Sequence, residues 1–419
     1  MKVNYLQQIT YRHLPSDFRD RHAESVVTNP YWDLVDPDRM SAAFRDGLDE
    51  MMHAARAGFD GVGVTEHAQA SYDVSPNPDL IASAFAYATE TEQLEVGVNV
   101  LGRTLGKTRE PLRVAEEYAV IDHISGGRLV AGFPLGLAYD AGFNNGVPPI
   151  ESRARFDENL ALILAAWTKR DAFPWNGKYS QYPNVNIWPR PFQSPNPPIV
   201  LTSVGTPRTA RLALERDFGL NFVGFSGDPL DTAKPAFDAF WRTAAEMGKD
   251  DNPYRASFAH FAAVADSDAE AERLYKPHVE YCFGKGIGHI PMNRLMMPGG
   301  VPKQGVRAML AASARTRRDA PTYKELVSTG AVVVGRHDTV AERLELLAKT
   351  FRIGNLSLFM QIGSMPKELT RHSIDLFAGT VLPRLQAQWS EYDADNRWWP
   401  VRLGGRPASP NQIEAGAVR

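Results

Sequence analysis

Residues 108–136 read TREPLRVAEEYAVIDHISGGRLVAGFPLG and decide the fold class, because they predict a helix that leads directly into a buried strand. The apolar residues that recur at helical spacing are Val114, Tyr118 and Ile121. Pro111 suits a first helical turn, and the Gly126–Gly127 pair suits the end of the helix. The apolar run Leu129–Gly132 then predicts a short strand. A helix followed by a strand in this way is one unit of a parallel α/β barrel.

The same alternation of apolar runs and amphipathic helices continues along the chain. Eight runs are predicted as barrel strands, at residues 3–6, 59–65, 94–101, 129–132, 199–203, 221–225, 257–265 and 355–360. Helical faces at barrel spacing lie between them, the first of which consists of Met40, Phe44, Leu48 and Met51. We therefore predict an α/β fold, a single (β/α)8 TIM barrel with insertions, over residues 1–385.

Two insertions and a tail accompany the predicted barrel. The aromatic, proline-rich segment at about 175–192 predicts an inserted hairpin, because proline is poorly tolerated inside a central strand. Residues at about 276–330 lack a clean β/α rhythm and contain several glycines. This pattern predicts a lid-like insertion, or a surface excursion with no chemical role. In the C-terminal tail, residues 386–419, we expect the Trp398–Trp399 pair to dock on the barrel.

Composition excludes several classes of protein. A hydrophobic content of 43% and a charged content of 23% are typical of a folded enzyme, and the formal charge of −3 gives no reason to expect nucleic acid as a partner. Cys282 is the single cysteine, which excludes an internal disulfide and multi-cysteine metal sites. No His-Glu-x-x-His pattern indicates a metal. The polar amino terminus and the short apolar runs lead us to expect no membrane partner and a cytoplasmic location.

Four local features, in this order, carry a resemblance to a known family. They are FDGVGVTEH at 59–67, PLRVAEE at 111–117, IDHISGGR at 121–128, and Gly335, which we expect to open a helix before the final strand. With them the chain resembles the bacterial-luciferase-like family of flavin-dependent monooxygenases. The resemblance implies a TIM barrel that binds reduced FMN (FMNH2) from a separate flavin reductase, uses O2 as co-substrate and forms a homodimer.

Glu66 and His67 stand where the second strand ends, at the edge where such barrels place their chemistry. A histidine there can move a proton near neutral pH, but a hydrogen-bonded structural histidine would leave the same sequence. The resemblance implies that His67 is catalytic, because family members use a histidine at this strand end beside flavin and substrate. Many members have a second histidine next, where this chain has Ala68.

Asn99 and Val100 lie near the end of the third predicted strand. The resemblance implies that the flavin ring rests over these two residues, at a position that often contains a non-prolyl cis peptide in the family. An asparagine can also simply satisfy polar groups at the end of a strand.

The sequence SVGTPRT at 203–209 contains the predicted phosphate site. Gly205 permits close approach of a ligand, Thr206 can cap the next helix or donate to an anion, and Thr209 adds a hydroxyl. A plain helix cap would have the same residues. The resemblance implies that this segment holds the flavin phosphate.

One position departs from the family pattern, since Leu135 stands where an arginine often precedes the glycine after strand four. Another cation is then needed beside the phosphate, and Arg103, Arg153 and Arg155 are the candidates. Arg153 and Arg155 could instead pair with neighbouring carboxylates, namely Glu151, Asp157 and Glu158.

The resemblance predicts a two-component monooxygenase that inserts oxygen from O2 into a small apolar organic substrate through a flavin peroxide. One alternative is a deazaflavin-dependent oxidoreductase that transfers hydride. The other is a noncatalytic flavin-binding accessory protein, which Ala68 and Leu135 keep open. The sequence does not identify the substrate.

Overall fold

Eight parallel strands close into a barrel in the computed structural model, which describes residues 1–224, 227–295 and 320–407. The strands of these residues are β1 (Lys2–Gln7), β2 (Gly61–Val64), β3 (Gly97–Val100), β4 (Leu129–Gly132), β5 (Phe173–Asn176), β6 (Gln181–Val185), β7 (Ile199–Ser203), β8 (Gly219–Val223), β9 (Ala256–Ala265), β10 (Val333–Arg336) and β11 (Asn355–Phe359). The barrel order is β1-β2-β3-β4-β7-β8-β9-β11, and β11 pairs with β1 to close it. The predicted (β/α)8 TIM barrel is confirmed.

The first strand shows how the barrel divides its side chains. Tyr5 pairs with Val62 of β2, and both belong to the main hydrophobic core between strands and helices. Asn4, the preceding residue, points the other way because side chains alternate along a strand. It lies inside the barrel, where Asn99 of β3 donates a hydrogen bond to it.

Helices surround the barrel. They are α1 (Phe18–Arg21), α2 (Tyr31–Leu34), α3 (Pro37–Arg56), α4 (Pro78–Thr91), α5 (Pro111–Ile124), α6 (Ser152–Thr168), α7 (Pro207–Arg216), α8 (Pro229–Thr232), α9 (Lys234–Glu246), α10 (Asp268–Lys285), α11 (Met292–Leu295), α12 (Tyr323–Ser328), α13 (His337–Phe351), α14 (Lys367–Leu376) and α15 (Leu382–Gln386). The helix predicted in the opening stretch is α5. Its predicted apolar face is buried in the core, with Val114, Tyr118 and Ile121 inaccessible to solvent.

Two of the sequence assignments need correction. β8 begins at Gly219, two residues before the predicted run 221–225. Gly335 does not open a helix, because it lies within β10 and pairs with Val264 of β9, and α13 begins only at His337. β10 is an additional strand along the carboxyl half of β9, and the eight strands predicted from the sequence did not include it.

The inserted segments also differ in detail from their predicted form. β5 and β6 make an antiparallel hairpin that starts at Phe173, close to the segment predicted at about 175–192. The first part of the lid-like segment, predicted at about 276–330, is regular helix, since α10 runs through Pro277 to Lys285. Residues 296–319 of that segment lie outside the described part of the chain.

The C-terminal tail covers the amino-terminal end of the barrel. The Trp399 ring enters this end so closely that a Cβ at Gly61 or Gly97 would lie 3.0 or 2.9 Å from its Cη2 atom. The indole N–H of Trp398 donates to the carbonyl of Asp217 at 2.9 Å. Both strand positions therefore require glycine, and the tryptophan pair docks on the barrel.

Candidate active site

The carboxyl ends of the strands bring His67 together with the loop that follows β4. This loop carries Tyr139 and then a π-helical turn over Asp140–Asn144. Nδ1 of His67 lies 3.4 Å from Oδ2 of Asp140 and 3.4 Å from the hydroxyl of Tyr139. The imidazole also packs on the ring of Tyr72, with centroids 5.0 Å apart. The candidate catalytic residue therefore has a carboxylate and two phenols around it.

The charges around His67 favour its protonated form. Burial lowers the pKa of His67, and so does the charge of Lys107. The hydrogen bond and charge of Asp140 and the charge of Asp73 outweigh both effects, so the pKa of His67 is above its ordinary value. Burial raises the pKa of Asp73 to about 7, although the charge of His67 and the hydrogen bond from Thr65 lower it. The His67 side chain remains 18% exposed. Such a ring is suited to proton transfer at the barrel mouth.

A buried ionic cluster joins the ends of β2 and β3. Glu66 lies 3.2 Å from Nζ of Lys107. Arg103 lies 3.2 Å from the carboxylate of Asp79 and 2.9 Å from that of Glu117. Because carboxylates already surround this guanidinium, its geometry gives no support to the cofactor contact predicted for Arg103. That contact stays a prediction.

The loop after β7 has the features of a phosphate site. Gly205 has a φ of 82°, and a Cβ there would lie 2.6 Å from Cβ of Ala236. Ser203 Oγ accepts from the N–H groups of Gly205 and Thr206, at 3.1 and 3.4 Å. The Thr206 side chain does not cap α7 but donates to Oγ1 of Thr209 at 3.0 Å. The first N–H groups of α7 are therefore left for another acceptor.

Arg153 is the cation that the fold adds to this loop. Its Nη2 donates to Oγ1 of Thr209 at 3.0 Å. Its Nη1 is buried without a hydrogen-bond partner in the described part of the chain, 3.8 Å from Asp157, and burial lowers the pKa of Arg153. A guanidinium with an unused N–H group, the hydroxyl of Thr209 and a helix amino terminus make a donor set for an anion. These residues fit the phosphate of FMN.

Arg155, the third candidate cation, has other partners. It forms an ion pair with Glu151 at 2.8 Å, and its guanidinium lies over the ring of Tyr179 at 4.3 Å. The structure thus gathers one group of the predicted cofactor residues and places Arg155 apart from it. The gathered residues are Arg153, Gly205, Thr206 and Thr209.

Asn99 and Val100 do not point their side chains at the mouth. The amide of Asn99 donates to Oδ1 of Asn4 at 3.1 Å inside the barrel. The Val100 side chain belongs to the core under the helices, and its carbonyl accepts from the Tyr118 hydroxyl at 3.3 Å. The cis peptides of the described residues precede Pro189 and Pro195, so the Asn99–Val100 bond is trans. Support of a flavin ring here would have to come from the backbone.

The sequence analysis missed Tyr139 and Asp140. They lie in an irregular loop that has no periodic pattern, 72 and 73 positions after His67. An acidic residue in the loop after a barrel strand was the signal available, and such residues are common. Their contacts with His67 arise because the loops after β2 and β4 meet in the folded barrel.

The described residues have neither a metal-binding cluster nor a membrane-spanning helix. They contain no group of three or more histidine, cysteine, aspartate or glutamate side chains placed to hold a metal ion. None of their helices combines the length and apolarity needed to cross a bilayer.

Residues 26–352 match the family model described as luciferase-like monooxygenase. The match includes His67, the loop after β4 and the loop after β7. The chain belongs to the luciferase-like monooxygenase family. The predicted family is therefore confirmed. The relatives include named monooxygenases, in agreement with the predicted enzyme class, a flavin-dependent monooxygenase.

Three relatives show the range of similarity. Uncharacterised protein y4wF of Sinorhizobium fredii is 29% identical over 241 residues, which are 57% of this chain and 66% of the relative. The 3,6-diketocamphane 1,6-monooxygenase of Pseudomonas putida is 25% identical over 352 residues, or 77% and 87%. The oxygenase component of a flavin-dependent trigonelline monooxygenase of Acinetobacter baylyi is 30% identical over 158 residues, or 36% and 42%. The chain thus spans just under two thirds of the first relative's length.

Solved structures share the fold at lower identity. The oxygenating constituent of 3,6-diketocamphane monooxygenase from Pseudomonas putida, in complex with FMN, has a TM-score of 0.68 and 21% identity, with 91% of this chain and 98% of that chain covered. An F420-dependent secondary alcohol dehydrogenase has a TM-score of 0.59 and 16% identity, with 92% and 98% covered. The fold therefore occurs with both kinds of cofactor.

Proposed function

We propose that this enzyme is the oxygenase of a two-component system that receives reduced FMN from a separate flavin reductase. The observation that carries the proposal is the anion site at the start of α7, where Arg153 and Thr209 meet at 3.0 Å beside the Thr206 hydroxyl. This site suits the terminal phosphate of FMN, and two monooxygenase relatives support the reaction class.

In this proposal each part of the mouth has a physical task. The α7 site binds the phosphate and so orients the cofactor, while His67 holds or gives a proton beside the reacting atoms. When bound, reduced FMN supplies the electrons that activate O2. Arg153 supplies the cation that the family often has at the position of Leu135. Backbone groups at Asn99 and Val100 support the flavin ring.

Apolar side chains on the same loops support the proposed substrate class. Phe143 in the loop after β4 and Val204 in the loop after β7 are both exposed. Exposed apolar side chains around a cofactor site favour a small apolar organic substrate. The proposal includes a homodimer, which rests on the family resemblance. It also includes a cytoplasmic location, which rests on the polar amino terminus and the short apolar runs of the sequence.

An anaerobic titration of the protein with reduced FMN, followed by rapid mixing with O2, tests the function. We expect saturable binding and then a transient absorbance distinct from both reduced and oxidised FMN. Failure to bind reduced FMN, together with turnover supported by a reduced deazaflavin, would replace the proposal with hydride transfer. Binding followed by oxidation at the rate of free FMN would instead indicate an accessory protein.

A further inference from the structure

Asp140 is a buried carboxylate with a specific charged neighbour. Its side chain is 1% exposed, and His67 is the one basic side chain within ion-pair distance of it among the described residues. A buried carboxylate is costly unless it is paired and hydrogen-bonded. Pairing with His67 is thus the interaction that best explains a charge at this position.

The local backbone holds Asp140 in place. Oδ1 accepts the N–H of Ala68 at 3.0 Å, so the carboxylate grips the chain immediately after His67. The π-helical turn starts at Asp140, and Nδ2 of Asn145 donates to its carbonyl at 2.9 Å. π-helical turns of this kind occur often at functional sites. The second oxygen, Oδ2, is then left for Nδ1 of His67.

Nδ1 of His67 has a second neighbour at the same distance, the hydroxyl of Tyr139, which also pairs with the hydroxyl of Tyr72 at 2.8 Å. The two neighbours act in opposite ways. Asp140 can only accept, so it requires a proton on Nδ1, whereas a phenol can donate to an unprotonated Nδ1. The carboxylate therefore determines which nitrogen keeps its proton when the ring is neutral.

We propose that Asp140 is a positioning residue that fixes a proton on Nδ1 of His67 and so makes Nε2 the nitrogen that exchanges protons at the mouth. This inference rests on the proposed function only for the identity of the proton acceptor. Nε2 makes no hydrogen bond with the described residues. It gives its proton to an oxygen atom of the reacting groups and regains one from water, with no change of oxidation state.

The other groups that face His67 define the controls. Asp73 raises the pKa of His67, Lys107 lowers it, and the phenols of Tyr72 and Tyr139 stay neutral because burial raises their pKa values well above the ordinary range. Asp140→Asn removes the charge while keeping an oxygen for the N–H of Ala68. Tyr139→Phe removes the other neighbour of Nδ1 and keeps the charge.

The test is a pH titration of 15N-histidine-labelled, flavin-free protein by NMR, with the His67 signal assigned by its loss in His67→Gln. In the parent protein we expect the neutral ring to carry its proton on Nδ1. Asp140→Asn should lower the pKa of His67 and move the proton toward Nε2, whereas Tyr139→Phe should leave the proton on Nδ1 and not lower the pKa. The proposal is overturned if Asp140→Asn titrates like the parent, or if Tyr139→Phe lowers the pKa equally. If Asp140→Asn does not fold, Asp140→Ser is read by the same criteria.

Turnover gives a second readout once a substrate is known. As pH rises, protonated His67 is lost sooner in Asp140→Asn, so kcat should fall by a larger factor in alkaline than in acidic buffer, with KM nearly unchanged. A parallel loss at every pH would contradict the proposal. The NMR experiment needs no flavin, so a protein that failed to use reduced FMN could still show the Asp140 effect, and the two failures are distinguishable.

Discussion

The two ends of the barrel differ in how closely Arg255, at one end, and Arg153 and His67, at the other, approach their carboxylates. At the amino end, Arg255 meets Asp217 at 2.7 Å and Asp250 at 3.0 Å. At the carboxyl end, Arg153 lies 3.8 Å from Asp157, and His67 meets its carboxylate at 3.4 Å. Each end also has a buried arginine nitrogen without a hydrogen-bond partner in the described residues, Nε of Arg255 and Nη1 of Arg153. The shorter ion pairs at the amino end are suited to stabilising the fold, whereas barrels of this kind bind their ligands at the carboxyl end.

The amino end owes its closure to the tail. The guanidinium groups of Arg255 and Arg397 lie 4.6 and 4.7 Å from the centroid of the Trp398 ring. Arg397 extends the ion pairs to Asp250. Trp399 fills the space left by the glycines of β2 and β3. These residues lie at the opposite end of the barrel from His67 and the loop after β7, so damage here should affect stability rather than chemistry.

Among the variants that test the difference between the two ends, Trp399→Ala should change the free energy of unfolding most. The 3%-exposed ring fills the barrel end, so its loss should destabilise the protein by about 3 to 5 kcal/mol in urea unfolding, while the affinity for reduced FMN at low temperature is retained. The control is Trp188→Ala, which removes a tryptophan that is 84% exposed and should change stability little. Equal losses in the two variants would contradict a sealing role for Trp399.

The next effect concerns the opposite end. Arg153→Met removes the cation beside Thr209, and loss of a charge-assisted hydrogen bond of about 1.5 to 3 kcal/mol should weaken FMN binding about 10- to 100-fold in an anaerobic fluorescence titration. Arg155→Met is the matched control, since Arg155 is engaged by Glu151 and Tyr179. If Arg155→Met weakened binding more than Arg153→Met, the assignment of the phosphate site would be wrong.

The smallest effect is a pH dependence at the amino end. Burial raises the pKa of Asp250, but hydrogen bonds and charges from Arg397 and Arg255 lower it to about 2. Because the folded-state pKa is below the ordinary value, ionised Asp250 contributes stability at neutral pH that is lost as pH falls toward about 2.

Asp250→Asn should therefore cost about 1 kcal/mol or less at neutral pH, since the carboxylate is 43% exposed and partly screened by solvent. The unfolding free energies of the variant and the parent should converge as the pH is lowered. Asp251→Asn, which alters the neighbouring and more exposed carboxylate, is the control. A difference that grew on acidification would show that the sign is wrong.

The sequence predicted the parts of the site that lie within one element and its following turn. His67 could be placed because an apolar run stops just before it, and the loop of Gly205 and Thr206 because a strand, a glycine and Pro207 follow in order. β10 and Asp140 could not be placed, because a short run and an irregular loop carry no periodicity of their own.

By itself, the sequence determined the barrel and its strand ends, since hydrophobic periodicity and turn residues are local properties. Its motifs carried the resemblance to the family. Only the tertiary structure decided which charges meet. Arg153 reaches Thr209 across 56 positions, and Asp140 reaches His67 across 73. Barrel closure sets those distances, because it places loops from non-adjacent parts of the chain on one rim regardless of their separation in sequence.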